Sequence, residues 1–333
     1  MKYILVDTMN LFFRARHSTH RASDTWTKLG FCLHLMFSSI NKVIRKQGGD
    51  HIVFCLDGHS WRKDIYAPYK KNRKEKRDKM DVKEQEEEAQ FFEIYAHFHK
   101  YLQERTNCTV LKNDNAEADD LIARWIALHP TDEHVIVSSD SDFYQLITNQ
   151  VVQYNGITDQ LITLDGFYDY KDQSIIDKKT KEPKLPPNPK WLLFEKCMRG
   201  DSSDNIFSAY PGVRTKSTKK RIGLLEAFED MDSKGYAWNN LMLQHWTDHN
   251  ELEHRVLDDY ERNKQLIDLT QQPDSIKEST DHTINTTITS KDVGGVGIHF
   301  LRFCGKYDLV SISNQPDQYA NWLNKTYKGV LND

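Results

Sequence analysis

Three short apolar runs, each closed by an acid, constrain this chain most. They are Tyr3-Ile4-Leu5-Val6 before Asp7, Ile52-Val53-Phe54-Cys55-Leu56 before Asp57, and Val135-Ile136-Val137 two serines ahead of Asp140. Continuous apolar runs of this length suit strands buried on both faces of a parallel sheet. Helical periodicity fills the intervals, over about 29–46 (through Phe31, Leu35, Ile40 and Val43), 84–105 and 116–128. Alternation of this kind predicts an α/β domain. Ligands of such sheets bind beyond the carboxyl ends of the strands. A single acid there is most simply a helix cap or a turn residue. Three acids delivered to one edge by three strands argue for a shared pocket.

Further acids extend the pattern. Glu117, Asp119 and Asp120 open a predicted helix that Asn115 is placed to cap, and Glu117 and Asp120 share a face. Asp140-Ser141-Asp142 points two carboxylates into one space. Gly200-Asp201-Ser202-Ser203-Asp204 sets two more three residues apart, without the spacing or terminal Glu of an EF-hand. Crowded carboxylates repel one another and need cations to coexist. Hard divalent cations such as Mg²⁺ take oxygen ligands.

The net charge of -4 gives no global attraction to nucleic acid, so any such binding falls to local patches. Residues 61–83 form one, with Arg62, Lys63, Lys70, Lys71, Arg73, Lys74, Lys76, Arg77, Lys79 and Lys83 interleaved with Trp61, Tyr66 and Tyr69. Basic side chains grip phosphates and aromatics stack on unpaired bases. The five cysteines are odd in number, form no CxxC pair and lie mostly in apolar runs. They read as reduced thiols in a cytosol-like compartment, with no zinc site. No run is long enough to span a membrane.

A Lys- and Pro-rich stretch at about 171–189 reads as a linker, which divides the chain into 1–185 and 186–333. The second part shows helical patterns at about 191–199, 216–228 and 251–269. The Thr/Ser-rich segment 273–292 reads as an exposed loop, and the last forty residues as apolar elements that pack back on the body.

The ordered set Asp7, Arg14, Asp57, Tyr69-Lys70-x-Asn72-Arg73, Glu117-Ala118-Asp119-Asp120, Asp140-x-Asp142-Phe143 and Gly200-Asp201-Ser202-Ser203-Asp204-Asn205 resembles the 5′-nuclease (flap endonuclease and 5′–3′ exonuclease) superfamily. Among its members the set is most similar to the stand-alone bacteriophage replicative enzymes of the ribonuclease H type. The resemblance covers about 1–222. It implies a PIN-like α/β nuclease domain with a helical arch (about 61–105) and a helix-three-turn-helix DNA clamp (about 190–228). It implies two Mg²⁺ per active site, with Mn²⁺ able to substitute. Asp7, Asp57, Glu117, Asp119, Asp120 and Asp140 would surround the first. Asp142, Asp201 and Asp204 would serve the second, with Asp140 as a possible bridge. Lys70, Arg73 and Arg14 match phosphate-contacting positions, and Tyr69 would stack on a base beside the cut. Lys71, Lys216, Lys219 and Lys220 would contact nucleic acid. Arg214 stands where the family usually carries the second glycine of a G-x-G-x-K hairpin.

The expected activity is Mg²⁺-dependent 5′–3′ exonuclease and flap endonuclease cleavage, with RNase H activity, removing RNA primers and 5′ flaps during DNA replication. Its substrates would be DNA and RNA–DNA duplexes with 5′ ends or flaps. A single-strand-binding protein or sliding clamp is the partner such a setting implies, for a monomer in the cytoplasm (the host's, if phage-encoded). Two alternatives stay open: a PIN-type single-strand ribonuclease and a non-catalytic nucleic-acid-binding protein.

Overall fold

A computed structural model describes residues 1–19, 24–219, 221–288 and 291–329. The chain forms two compact units. The first comprises residues 1–60, 80–187 and 273–333; the second comprises 61–79 and 188–272. This differs from a single division near 185. The basic segment clusters with the helical unit, and the C-terminal sixty residues cluster with the sheet.

The first unit holds a seven-stranded sheet. Its strands are β1 (Lys2–Asp7), β2 (His51–Leu56), β3 (Thr109–Lys112), β4 (Glu133–Val137), β5 (Val151–Asn155), β6 (Gln160–Thr163) and β7 (Gly166–Tyr168). Their order is β3-β2-β1-β4-β5-β6-β7. β1 to β5 pair in parallel, whereas β6 and β7 add an antiparallel edge. All six residues of β2 are buried, as a strand covered on both faces requires. β1 lies between β2 and β4, so the connections leave it in opposite directions. This switch point puts the carboxyl ends of β1, β2 and β4 side by side.

Helices Thr25–Gln47 and Val82–Arg105 supply much of the core, through Met36, Phe37, Phe91 and Phe98. Of the stripe expected on the first, Ile40 and Val43 are buried and Leu35 packs against the core, but Phe31 is exposed, and Cys32, Leu33, Met36 and Phe37 also point inward. The run Phe31-Cys32-Leu33 is apolar on every side, so hydrophobicity alone did not choose the face. Asp81 and Glu84 form a capping box at the start of the second helix.

The C-terminal segment packs back on this core, with Phe300, Tyr319, Trp322 and Leu323 buried in the same cluster as Phe37 and Phe98. The segment expected to be a loop at 273–292 instead contains the helix Asp274–Thr287. Its Ser/Thr content disguised it, because these side chains usually compete with helical hydrogen bonding. Here Thr280, Thr283 and Thr287 hydroxyls donate to carbonyls one turn back. Asn113 anchors the helix through Ser279 and Thr283, and Arg124 pairs with Asp281 at 2.6 Å.

The second unit is mainly helical. Helices Pro189–Arg199, Leu224–Glu229, Tyr236–Met242 and Val256–Ile267 enclose Phe194, Met198, Leu224, Trp238 and Tyr260. Asn188 caps the first by accepting from the Trp191 N–H, ahead of a proline at its first turn. The helix expected over 216–228 begins only at Leu224. Among the described residues before it, the Ser217 N–H donates to Glu226 and Thr218 pairs with Arg221. All five cysteines are free and buried. Among the described residues no helix is long and apolar enough to cross a membrane.

Candidate active site

The acids of the first unit meet at the carboxyl edge of the sheet. Asp7 ends β1 and caps the following helix, Thr8–Ser18, by accepting from the Asn10 N–H. Its second oxygen accepts from the Ser138 hydroxyl at 2.9 Å, just past β4. Asp57 follows β2 and accepts from the Ala118 N–H at 2.8 Å. That bond ties it to the start of helix Ala118–Leu128, where Glu117, Asp119 and Asp120 bring carboxylate oxygens within 4.8 Å of one another. Asp140 accepts from the Asp142 N–H, which folds the D-x-D turn into a short 3-10 helix. Asn115 does not cap the helix at 118. Glu117 does, in a reciprocal capping box with Asp120. The two are 7% and 0% exposed.

The electrostatics show how close these groups are. Burial, followed by the Asp57 charge, pushes the Asp7 carboxyl up from 3.8 to about 7, and Asp140 adds to the rise. The Asn10 and Ser138 hydrogen bonds oppose it. A carboxyl crowded by carboxylates resists ionisation until a cation arrives. The donors are all carboxylate oxygens, the set a hard divalent cation prefers. Cys55 lies behind them, and burial raises its thiol well above the usual range, so it offers no thiolate.

Several supporting residues carried no sequence signal. Ser60 donates to Glu117 at 2.8 Å. Asn10 receives both the N–H and the hydroxyl of Ser139. Gln153, 0% exposed on β5, donates to the carbonyls of Ser138 and Asp140 at 2.9 and 2.7 Å and so fixes the loop bearing Asp140. Each is a polar residue in or beside an apolar run, which marks burial but not role. Arg14 lies against Gly156, where an added Cβ would fall 1.6 Å from its guanidinium. Burial lowers its pKa against the opposing pull of Tyr154 and Asp159.

The remaining predicted residues belong to the second unit. Asp201 pairs with Lys196 at 2.9 Å and accepts from the Ser203 N–H and hydroxyl. Burial raises its pKa, but these partners outweigh that and hold it below the usual carboxylate range. Asp204 pairs with Arg73 at 2.5 Å and Lys70 at 3.6 Å and accepts from the Tyr69 hydroxyl at 3.1 Å. Tyr69 is only 3% exposed, so in this conformation its ring offers no open face to a base. It packs instead with Phe194 and Met198 in the unit's core. Lys71 starts the helix Lys71–Asp78, none of whose residues is buried. Arg214, Lys216, Lys219 and Arg221 line a cavity of about 470 Å³ with Gly212. Lys220 lies outside the described residues.

Comparison with known proteins accords with this arrangement. Residues 2–179 match the family described as 5′-3′ exonuclease, N-terminal resolvase-like domain. The chain belongs to this family. It is 24% identical to flap endonuclease Xni of Shewanella loihica over 234 residues, covering 69% of this chain and 78% of the relative. It is 27% identical to a 5′-3′ exonuclease of Bacillus subtilis over 245 residues, covering 69% and 72%. Its fold matches that of the bacteriophage T5 flap endonuclease, solved in a pseudo-enzyme-product complex with DNA and metal ions. That match has a TM-score of 0.58 at 19% identity and covers 87% of this chain and all of the other. The α/β class and the 5′-nuclease resemblance read from the sequence are both borne out.

Proposed function

We propose that this protein is a divalent-metal-dependent 5′-nuclease. In this reading it cuts DNA and RNA–DNA duplexes near 5′ ends or flap junctions and serves primer and flap removal in replication. The observation that carries the reading is the convergence of Asp7, Asp57, Asp140 and the Glu117–Asp120 group on one sheet edge, with Asp7 driven toward neutrality by burial and then by its acidic neighbours. The names of its relatives support the reaction class.

Asp7, Asp57, Glu117, Asp119, Asp120 and Asp140 would hold the ions, Mg²⁺ by the hardness of the donor set, with Mn²⁺ able to replace it. Bound metal supplies an activated water and stabilises charge on the leaving oxygen. The chain's own residues set the geometry. Ser138 and Asn10 orient Asp7, Ser60 orients Glu117, and Gln153 holds the backbone of Asp140. Preorganised ligands of this kind need no rearrangement as charge develops. Arg14, Lys70 and Arg73 would neutralise phosphate oxygens, and Asp142, Asp201 and Asp204 would serve a second ion. The cavity lined by Arg214, Lys216 and Lys219 would hold duplex backbone. A replicative role would bring the enzyme together with single-strand-binding or clamp proteins as a monomer in the cytoplasm.

Labelled 5′-flap duplex, RNA–DNA hybrid and single-stranded RNA, each incubated with Mg²⁺ and with EDTA, test the reading. Metal-dependent cutting of the two duplexes supports it. Cutting confined to single-stranded RNA would move the protein to the ribonuclease class, and no metal-dependent cutting would leave a binding protein.

A further inference from the structure

The loop Gly200–Asn205 is stitched to the start of the basic helix Lys71–Asp78 by more than one kind of bond, all within the second unit. The Lys70 N–H donates to the Asp204 carbonyl at 2.8 Å. The Asn72 amide donates to the Ser202 carbonyl at 3.1 Å, and the Asn205 amide donates to the Pro68 carbonyl at 2.7 Å. At the centre the Asp204 carboxylate takes Arg73 on one oxygen and Tyr69 and Lys70 on the other. Lys70 itself sits in the left-handed region, at φ 54°. That conformation is unfavourable for a residue with a side chain and persists only where its surroundings enforce it.

We propose that Asp204 is a shared counter-ion whose occupancy couples cation binding to the release of Lys70 and Arg73. The inference rests on the reading of those two residues as phosphate ligands. Without ligands, Asp204 neutralises the pair and fixes the base of the basic helix. A divalent cation and the two basic side chains compete for the same carboxylate oxygens. A cation on Asp204 therefore loosens Lys70 and Arg73 and frees them for phosphate. Phosphate that draws those side chains away leaves the carboxylate open to the cation. Such coupling is reciprocal by necessity. It makes nucleic acid and metal bind this loop cooperatively, so that the basic pair engages phosphate when the acid is engaged by metal.

Mn²⁺ calorimetry without nucleic acid tests this on the full chain, comparing wild type, Arg73→Gln, Lys70→Gln, Asp204→Asn and the Arg73→Gln/Asp204→Asn double variant. Lys76→Gln is the control for charge alone, on the same exposed helix. We expect Arg73→Gln and Lys70→Gln each to tighten the weaker Mn²⁺ step by about 3- to 10-fold, the size of a coupling between groups in contact. The gain should vanish in the Asp204→Asn background. Unchanged or weakened binding in both single variants would overturn the proposal, as would an equal gain in Lys76→Gln. Mg²⁺-dependent cutting of the 5′-flap duplex by the wild type is a separate arm. Its absence would sink the nuclease reading, while the calorimetric result would still decide whether Asp204 is contested.

Discussion

Replacing Asp7 by Asn should stabilise the metal-free protein, and only at higher pH. The carboxyl is driven from 3.8 to about 7, first by burial and then by Asp57. Such a group makes no unfavourable contribution below its unfolded pKa. The penalty accumulates as pH rises toward the folded pKa and is complete above it. A displacement of this size corresponds to about 4 kcal/mol at 1.36 kcal/mol per pH unit. Asp7 is only half-buried by its surface exposure, so roughly half of that is the safer expectation. Asn keeps the oxygen that accepts from the Asn10 N–H, and its amide can donate to the Ser138 hydroxyl, so the cap survives. Urea unfolding in EDTA at pH 5 and pH 8.5 measures the effect. The variant should gain about 1.4 kcal/mol on wild type between those two pH values, the part of the discounted penalty that accumulates above pH 5. A difference that does not change with pH, or a variant less stable at pH 8.5, would refute the claim that burial and the neighbouring charges raise the Asp7 pKa.

Three further outcomes follow from the same geometry. Gln153→Leu should cost about 2 kcal/mol through two lost buried bonds and should weaken Mn²⁺ binding, read by thermal shift with and without the ion; unaltered Mn²⁺ binding would leave Gln153 with a structural role only. Gly156→Ala should force Arg14 from its seat and lower flap cleavage as far as Arg14→Ala does, with no further loss in the double variant; additive losses would mean the two act apart. Trp322→Ala, buried among Phe37 and Phe300, should cost about 3–5 kcal/mol in denaturant unfolding; a loss under about 1 kcal/mol would show that the C-terminal helices do not complete the core.

The sheet and its acids were legible because one physical signal served both. An apolar run long enough to be buried on both faces, followed by a carboxylate, names a strand and its ligand end together, as at Asp7 and Asp57. The Glu117–Asp120 group was equally plain, since three acids at a helix start exceed what capping uses. What escaped was tertiary. Gln153 looks like any polar residue in a strand until the Asp140 carbonyl is placed beside it. The helix Asp274–Thr287 is held by Asn113 and Arg124 and by its own hydroxyls, against its composition. The 61–79 segment adjoins the sheet domain in sequence yet clusters with the helical unit, because Tyr66 and Tyr69 bury their rings there. Asp204 reads as a free ligand in sequence, while in the structure three side chains already hold it.

The most direct test of the central claim is Asp140→Asn on a labelled 5′-flap duplex, with cleavage followed in Mg²⁺ and duplex binding followed in EDTA. Asp140 crowds Asp7 by charge, and its backbone is fixed independently by Gln153, so the substitution alters the metal pocket with little disturbance to the fold. Loss of Mg²⁺-dependent cutting by at least about 100-fold with binding retained is the predicted result. Cutting within a few-fold of wild type would contradict the account, and equal loss of binding and cutting would make Asp140 a structural residue.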